Sequence, residues 1–282
     1  MTAPSYLICT DLDRTLLPNG PEPESPQARP LFARLASRPD IALAYVTGRH
    51  LALLEQAIDQ YRLPQPRFAI TDVGTRIHAW TGGQWQTWGD WEAAIDPDWA
   101  GQDQAGLIGL FADLPALTLQ EAAKQNRHKL SYYLPLKADR KAVMNAMAVR
   151  LQTLGVRASL VWSIDEPAGV GLLDVLPESA TKLHAVEFLR QRLGLGLNAV
   201  TFAGDSGNDL GVMASAVPSV LVANATQEVR RSAQDMARLA GNLGALYLAQ
   251  GGYLGMNGNY AAGILEGLVH FNPELGPWFE TL

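Results

Sequence analysis

Three short runs in this chain are apolar without alternation: Leu7-Ile8-Cys9-Thr10, Ile41-Ala42-Leu43-Ala44-Tyr45-Val46 and Ala199-Val200-Thr201-Phe202-Ala203. A strand with one wet face alternates polar and apolar side chains, whereas a strand covered on both faces has no reason to alternate. Two-sided burial points to a parallel sheet flanked by helices. The order of segments agrees, because strands over 6–10, 41–46 and 68–71 are separated by helical periodicity over 27–37 and 50–61. The rhythm returns with a strand over 171–176, a helix over 179–193, a strand over 199–203, a helix from Gly207 and a strand over 217–222. The expected fold class is α/β, with one parallel sheet using both stretches.

Between the two stretches the texture changes. Trp80, Trp85, Trp88, Trp91 and Trp99 crowd together among the turn residues Gly82, Gly83 and Gly89. Strand-like runs over 129–134 and 158–163 then flank a helix over 139–154 that carries Val143, Met144, Met147, Leu151 and Leu154 at helical spacing. Residues 81–165 are therefore expected to form an inserted domain, with 1–80 and 166–282 as the core. Hinges are expected near 78–82 and 164–169, where Pro167 lies. A glycine-rich loop over 251–258 precedes a last helix over 260–271.

Composition limits the function. With 22 basic and 28 acidic residues the net charge is −6, so a general nucleic-acid coat is not expected. No apolar run approaches the roughly 18 residues of a membrane span, and Asp11 and Asp13 interrupt the N-terminus before a signal peptide could form. A single cysteine, Cys9, excludes an intrachain disulfide and suits a reducing compartment, so the expected location is cytoplasmic.

The polar residues that could carry chemistry cluster where the apolar runs end, which is where open α/β sheets bind ligands. Asp11 and Asp13 follow the first run. Two acids at i and i+2 of an extended chain share a side, and their repulsion calls for a cation. Magnesium suits them, since it is commonly held by one or two carboxylates together with a substrate phosphate. Asp11, Asp13, Thr15 and Glu22 also match calcium-loop spacing, but Leu16 occupies the position that needs glycine. Thr47, Gly48 and Arg49 follow the second run, at a helix start suited to an anion. Asp205 and Asp209, four apart in Gly204-Asp205-Ser206-Gly207-Asn208-Asp209, follow the run over 199–203. Lys182 stands near the start of the helix after Gly171-Leu172-Leu173-Asp174-Val175-Leu176. There is no Walker loop, no His-Glu-x-x-His zinc spacing and no Gly-x-Ser-x-Gly elbow.

Taken together these residues resemble the haloacid dehalogenase (HAD) superfamily. Its four motifs match Asp11-Leu12-Asp13-Arg14-Thr15, Thr47, Lys182, and Gly204 through Asp209, in order. The resemblance implies a Rossmann-like core with an inserted α/β cap of the C2 type, in the Cof-like IIB branch. It implies that Asp11 is a phosphoryl-accepting nucleophile and Asp13 a general acid and base, with Thr47 and Lys182 holding the transferring oxygens. Magnesium would be held by Asp11, Asp13 through its backbone carbonyl, Asp205 and Asp209, with Asn208 nearby. More narrowly, the segments 72–77, Gln125-Asn126-Arg127-His128-Lys129-Leu130-Ser131-Tyr132-Tyr133, 173–177 and 261–268 resemble sucrose-phosphate phosphatases. Arg14 and Leu183 depart from the usual pattern.

The expected substrate contacts are Gly48, Arg49, Gln125, Arg127, Lys129 and Asn208, since amide, guanidinium and ammonium groups suit a hydroxyl-rich ligand. The expected activity is magnesium-dependent hydrolysis of a sugar phosphate, sucrose 6-phosphate first. Mannosyl- or glucosyl-phosphoglycerate, or another sugar phosphate, is the alternative substrate, and a non-catalytic sugar-phosphate-binding or partner protein of a glycosyltransferase the alternative class. The chain is expected to be a monomer able to associate with a sugar-phosphate synthase, and to bind neither nucleic acid nor membrane.

Overall fold

The structure, a computed structural model, describes residues 4–165 and 168–280. The chain divides into two compact units, one of Met1–Thr87 with Lys182–Leu282, the other of Trp88–Thr181. In the first unit β1 (Tyr6–Thr10), β2 (Ile41–Val46), β3 (Phe68–Thr71), β4 (Arg76–Thr81) and β5 (Gln84–Thr87) come first. The second unit then contributes β6 (Thr118–Leu119), β7 (Leu130–Leu134), β8 (Ala158–Asp165) and β9 (Val170–Pro177). The chain returns to the first unit with β10 (Val200–Gly204), β11 (Ser219–Leu221) and β12 (Leu246–Leu248).

The larger sheet has the order β12-β11-β10-β1-β2-β3-β4-β5. Pairing is parallel from β12 to β3 and antiparallel for β4 and β5. From β1 the chain winds through β2 and β3 to one side, then later through β10, β11 and β12 to the other. The winding direction therefore reverses at β1, and the carboxyl ends of β1, β2 and β10 lie side by side at that reversal, the place where open α/β sheets bind ligands. Every residue of β2, β3 and β10 is buried, as the unalternating runs require.

The first unit has α1 (Ala28–Ala36) and α2 (Leu51–Tyr61) before the insert. The insert holds α3 (Gly89–Ile95), α4 (Gln104–Phe111) and α5 (Arg140–Thr153); α6 (Lys182–Arg192), α7 (Leu210–Met213), α8 (Gln227–Leu239) and α9 (Ala261–Phe271) follow. Ile8, Leu43, Tyr45 and Val220 from the sheet pack with Phe32, Leu35, Leu54, Ile264, Leu265 and Leu268 from α1, α2 and α9 in one core. Helix α9 lies very close to β11. A Cβ on Gly267 would fall 2.2 Å from Val220 Cγ2, and one on Gly263 would fall 2.2 Å from the Gly258 carbonyl oxygen.

The second unit is a four-stranded antiparallel sheet of order β6-β7-β9-β8. Leu130, Tyr132, Leu173 and Val175 on one sheet face pack against Trp99, Leu107, Phe111, Met147 and Leu151. Here the structure departs from expectation, because the run over 171–176 does not join the parallel sheet. It is β9, the strand between β7 and β8. An apolar central strand reads alike whichever sheet it enters, and pairing partners are chosen by tertiary contact. The tryptophan-rich stretch divides: Trp80 and Trp85 pair across the β4–β5 hairpin of the first unit, while Trp91 and Trp99 are buried in the second. The unit boundaries thus fall at 87/88 and 181/182. Pro167 of the expected second hinge lies outside the described residues. Helix α8 and strand β12 carry no expectation from sequence; β12 is three residues at a sheet edge, too short to show a period. Among the described residues no helix is long and apolar enough to cross a membrane.

Candidate active site

The site residues of the first unit stand just beyond the last residues of β1, β2 and β10. Asp11 follows β1 directly, and its Oδ1 accepts from the Leu12 backbone N–H at 2.8 Å. Lys182, the first residue of α6, is buried, and its Nζ lies 3.1 Å from Asp11 Oδ2. The same ammonium donates to Asp209 Oδ1 at 2.8 Å and to Asn208 Oδ1 at 2.9 Å. An ammonium at a helix start opposes the helix dipole. Two buried carboxylates offset that cost, which explains why the chain tolerates lysine there.

Asp209 is locked from its other side. Its Oδ2 accepts from the backbone N–H groups of Asp205 and Ser206, both at 3.1 Å, closing the turn after β10. Gly204 makes this fold-back feasible, since a Cβ there would lie 2.5 Å from Asp209 Cγ. Asp205 Oδ1 accepts from Thr15 Oγ1 at 3.0 Å. Carboxylate oxygens of Asp11, Asp205 and Asp209 lie within 4.8 Å of one another.

Such a cluster is electrostatically incomplete. Burial pushes the Asp11 carboxyl up, Lys182 pulls it down and Asp209 pushes it up again, leaving it near 7. Burial, then the Asp209 charge, raises Asp205 to about 6. One lysine does not balance three acids. The Lys182 ammonium is itself held above its ordinary value, since the charges of Asp11 and Asp209 outweigh burial. Three hard oxygen donors converging in a desolvated site fit a divalent cation of the magnesium type.

Asp13 is placed differently from the shared-side expectation. β1 ends at Thr10, so 11 and 13 are not consecutive positions of one extended strand. The Asp13 carboxylate receives a forked pair of hydrogen bonds from Arg49, Nε to Oδ2 at 2.8 Å and Nη2 to Oδ1 at 2.6 Å. Asn19 Nδ2 adds a third at 2.7 Å. Burial works to raise this carboxyl, but the Arg49 fork outweighs it and holds it below the usual range. Its side chain stands outside the cluster of three acids. Thr47 is buried at the end of β2, and its Oγ1 accepts from the Arg49 N–H at 3.2 Å. Gly48 is exposed, with 3.8 Å of clearance from Val73 to an added Cβ.

In the second unit, Gln125, Arg127 and Lys129 do not form one constellation. The Gln125 amide bonds to backbone, donating to Gln120 O at 3.0 Å and Ser131 O at 2.9 Å and accepting from Ser131 N at 2.8 Å. Arg127 pairs with Asp96 at 2.9 Å. Lys129 is buried, with Nζ 3.9 Å from Asp174 Oδ2 on the neighbouring strand β9. Asp174 in turn accepts from Ser131 Oγ at 2.5 Å.

Sequence reasoning missed Thr15, Asn19 and Asn224 as supports of the site. Asn224 donates to the Arg14 carbonyl at 2.6 Å and accepts from Tyr260 N–H at 2.9 Å, tying the β1 loop to the start of α9. Thr15, four residues after Asp11, carries a signal in its motif position. Asn224 carries none, because its partner is 210 residues away.

Residues 4–272 match the sucrose-6F-phosphate phosphohydrolase family. Over 98% of its length the chain is 55% identical to a protein of Nitrosococcus oceani described only as a HAD-like hydrolase, covering 74% of that protein. It is 28% identical to sucrose-phosphatase 1 of Nicotiana tabacum over 98% of its length, spanning 61% of that relative. The X-ray structure of the sucrose-phosphatase from Synechocystis sp. PCC6803, solved with sucrose and phosphate, superposes with a TM-score of 0.73 at 26% identity. That superposition covers 95% of this chain and 98% of the other.

Proposed function

The chain belongs to the sucrose-6F-phosphate phosphohydrolase family and is a phosphoric monoester hydrolase with a HAD fold; from that premise and the site geometry we propose that its sugar-phosphate substrate is sucrose 6-phosphate, released as sucrose and phosphate. The observation that carries the phosphoryl-transfer chemistry is the buried Asp11 carboxylate, 3.1 Å from the Lys182 ammonium and grouped with Asp205 and Asp209, while the family match supports sucrose as the sugar. A carboxylate so placed is a nucleophile toward phosphorus, with a cation to receive the phosphate charge.

In the first step an Asp11 oxygen bonds to phosphorus as the bond to the sugar oxygen breaks, and Asp13 gives its proton to that departing oxygen. In the second step Asp13 takes a proton from water, whose oxygen attacks the aspartyl-phosphate and restores Asp11. Lys182 and the Thr47 hydroxyl hold the non-bridging oxygens, with Gly48 and Asn208 beside them. A magnesium ion held by Asp11, Asp205, Asp209 and the Asp13 backbone carbonyl would offset the repulsion between two anionic reactants. Arg49 must leave the Asp13 carboxylate for that group to take up a proton, and an incoming anionic substrate supplies an alternative partner for the guanidinium. Gln125, Arg127 and Lys129 of the second unit carry the amide, guanidinium and ammonium groups that suit a hydroxyl-rich ligand. The reaction is placed in the reducing cytoplasm, in keeping with the single buried Cys9.

Phosphate release measured on sucrose 6-phosphate, mannosyl- and glucosyl-phosphoglycerate and simple hexose phosphates, with magnesium or with EDTA, tests the proposal. Sucrose 6-phosphate should give the highest kcat/KM by at least about tenfold, and EDTA and Asp11→Ala should each abolish turnover. Comparable low rates on every substrate would refute the sucrose assignment. Full activity in Asp11→Ala would refute the covalent mechanism.

A further inference from the structure

Arg14 is held in place with unusual expense. Its backbone is left-handed, φ +57°, a conformation that costs a residue with a Cβ. Both of its main-chain groups are tied, the N–H donating to Asn19 Oδ1 at 2.8 Å and the carbonyl accepting from Asn224 Nδ2 at 2.6 Å. The side chain then brings Nε to 3.7 Å from Asp205 Oδ2 and Nη2 to 3.7 Å from Glu22 Oε1. Glu22 is anchored by Tyr260, whose hydroxyl donates to Glu22 Oε2 at 3.2 Å and to the Glu22 carbonyl at 3.1 Å. Tyr260 is itself a positive-φ residue, at +52°, and it shares Asn224 with Arg14. Two strained residues and one asparagine from distant parts of the chain thus converge on the placement of one guanidinium.

The spacing decides what that guanidinium does. An arginine that served only to neutralise Asp205 would fork onto it at hydrogen-bonding distance, as Arg49 does on Asp13. Here the Nε–Oδ2 separation is 3.7 Å and Nε, although buried, makes no hydrogen bond. Thr15 occupies Asp205 Oδ1, so Oδ2 keeps its lone pairs for another ligand. Arg14 is near enough to act through its charge and too far to occupy the acceptor.

We propose that Arg14, held between Glu22 and Asp205, is a positioning residue whose charge weakens the binding of a divalent cation to the Asp11–Asp205–Asp209 cluster. This rests on reading the cluster as the cation site. The guanidinium repels the incoming ion and competes for the Asp205 charge, while Glu22 offsets part of that effect from the far side. Even with the screening of bulk water, a unit charge 3.7 Å from a carboxylate shifts a binding equilibrium by roughly fivefold.

The test is calorimetric titration of magnesium chloride alone into the metal-free full chain, at about pH 8. Arg14→Gln should bind magnesium more tightly, by about two- to fivefold, and Arg14→Lys, which keeps the charge, should resemble the parent. Glu22→Gln should move the other way, since it removes the charge that offsets Arg14. The difference between Arg14→Gln and the parent should narrow in high salt, because the arginine is partly exposed. A change caused by altered packing alone would be neither reversed by lysine nor opposed by Glu22→Gln. Unchanged or weaker magnesium binding in Arg14→Gln, with Asp205→Asn losing it, would overturn the proposal while leaving the cation site standing. Parent-like binding in Asp205→Asn would instead overturn the site itself, and the proposal with it.

Discussion

Replacing Asp11 by asparagine should make the metal-free protein more stable. In the folded chain the Asp11 carboxyl sits near 7, against an ordinary value of 3.8, because burial and the neighbouring acids penalise its charge more than Lys182 favours it. A folded value above the unfolded one means that between these two pH values the folded state binds more protons. Its stability therefore falls as pH rises through that window. The difference corresponds to about 4 kcal/mol once the group is fully ionised. Asp11→Asn removes that cost. It does not orphan Lys182, which keeps Asp209 and Asn208 at 2.8 and 2.9 Å.

At pH 8 without metal, Asp11→Asn should melt above the parent by up to about 8 °C, taking about 2 °C per kcal/mol for a chain of this size. Near pH 4 the two should coincide. The difference between the proteins is the quantity to follow, because other groups titrate in the same range. His78, held near 4 by burial and Arg76, works in the opposite direction, since its contribution is lost as pH falls below its ordinary 6.5. Scanning calorimetry on parent and variant from pH 4 to 8, each with EDTA, gives the difference curve. Magnesium at pH 8 should then restore the parent and leave the variant little changed. A flat difference curve, or a variant less stable than the parent at pH 8, would show that Asp11 bears no desolvated like-charge burden and would remove the electrostatic case for a cation.

Other consequences are as direct. Gly204→Ala places a methyl 2.5 Å from the fixed carboxylate of Asp209; it should destabilise the fold by about 1–3 kcal/mol and lower kcat, and a melting point and turnover equal to the parent's would refute the packing argument. Arg49→Ala frees Asp13 from its forked hydrogen bonds, so the limb of the kcat/KM–pH profile that reports Asp13 should move to higher pH; a profile that stays in place would show that Arg49 does not control this carboxyl. Lys182→Met leaves Asp11 and Asp209 facing each other without their shared cation; phosphate release should fall by at least about a hundredfold, and a loss under tenfold would deny the lysine its place on the transferring oxygens.

The amino-acid sequence was enough to specify the parallel core. A short unalternating run such as Ile41–Val46, bounded by turn residues, fits a strand covered on both faces, and its hydropathy is a property of the residues themselves. It also pointed to the candidate site, because Asp11, Thr47, Asp205 and Asp209 each follow the end of such a run, and strand ends can be read from local pattern. Tertiary structure alone decided the pairing of β9, whose Gly-Leu-Leu-Asp-Val-Leu pattern suits either sheet until β7 and β8 take its two edges. It also turned Asp13 onto Arg49 rather than onto the acid cluster, and it brought Asn224 and Tyr260 beside Arg14. Hydropathy and turn chemistry act within a few residues along the chain. Hydrogen bonds and charges between segments some 200 residues apart exist only after folding brings them together, and no local pattern encodes their geometry.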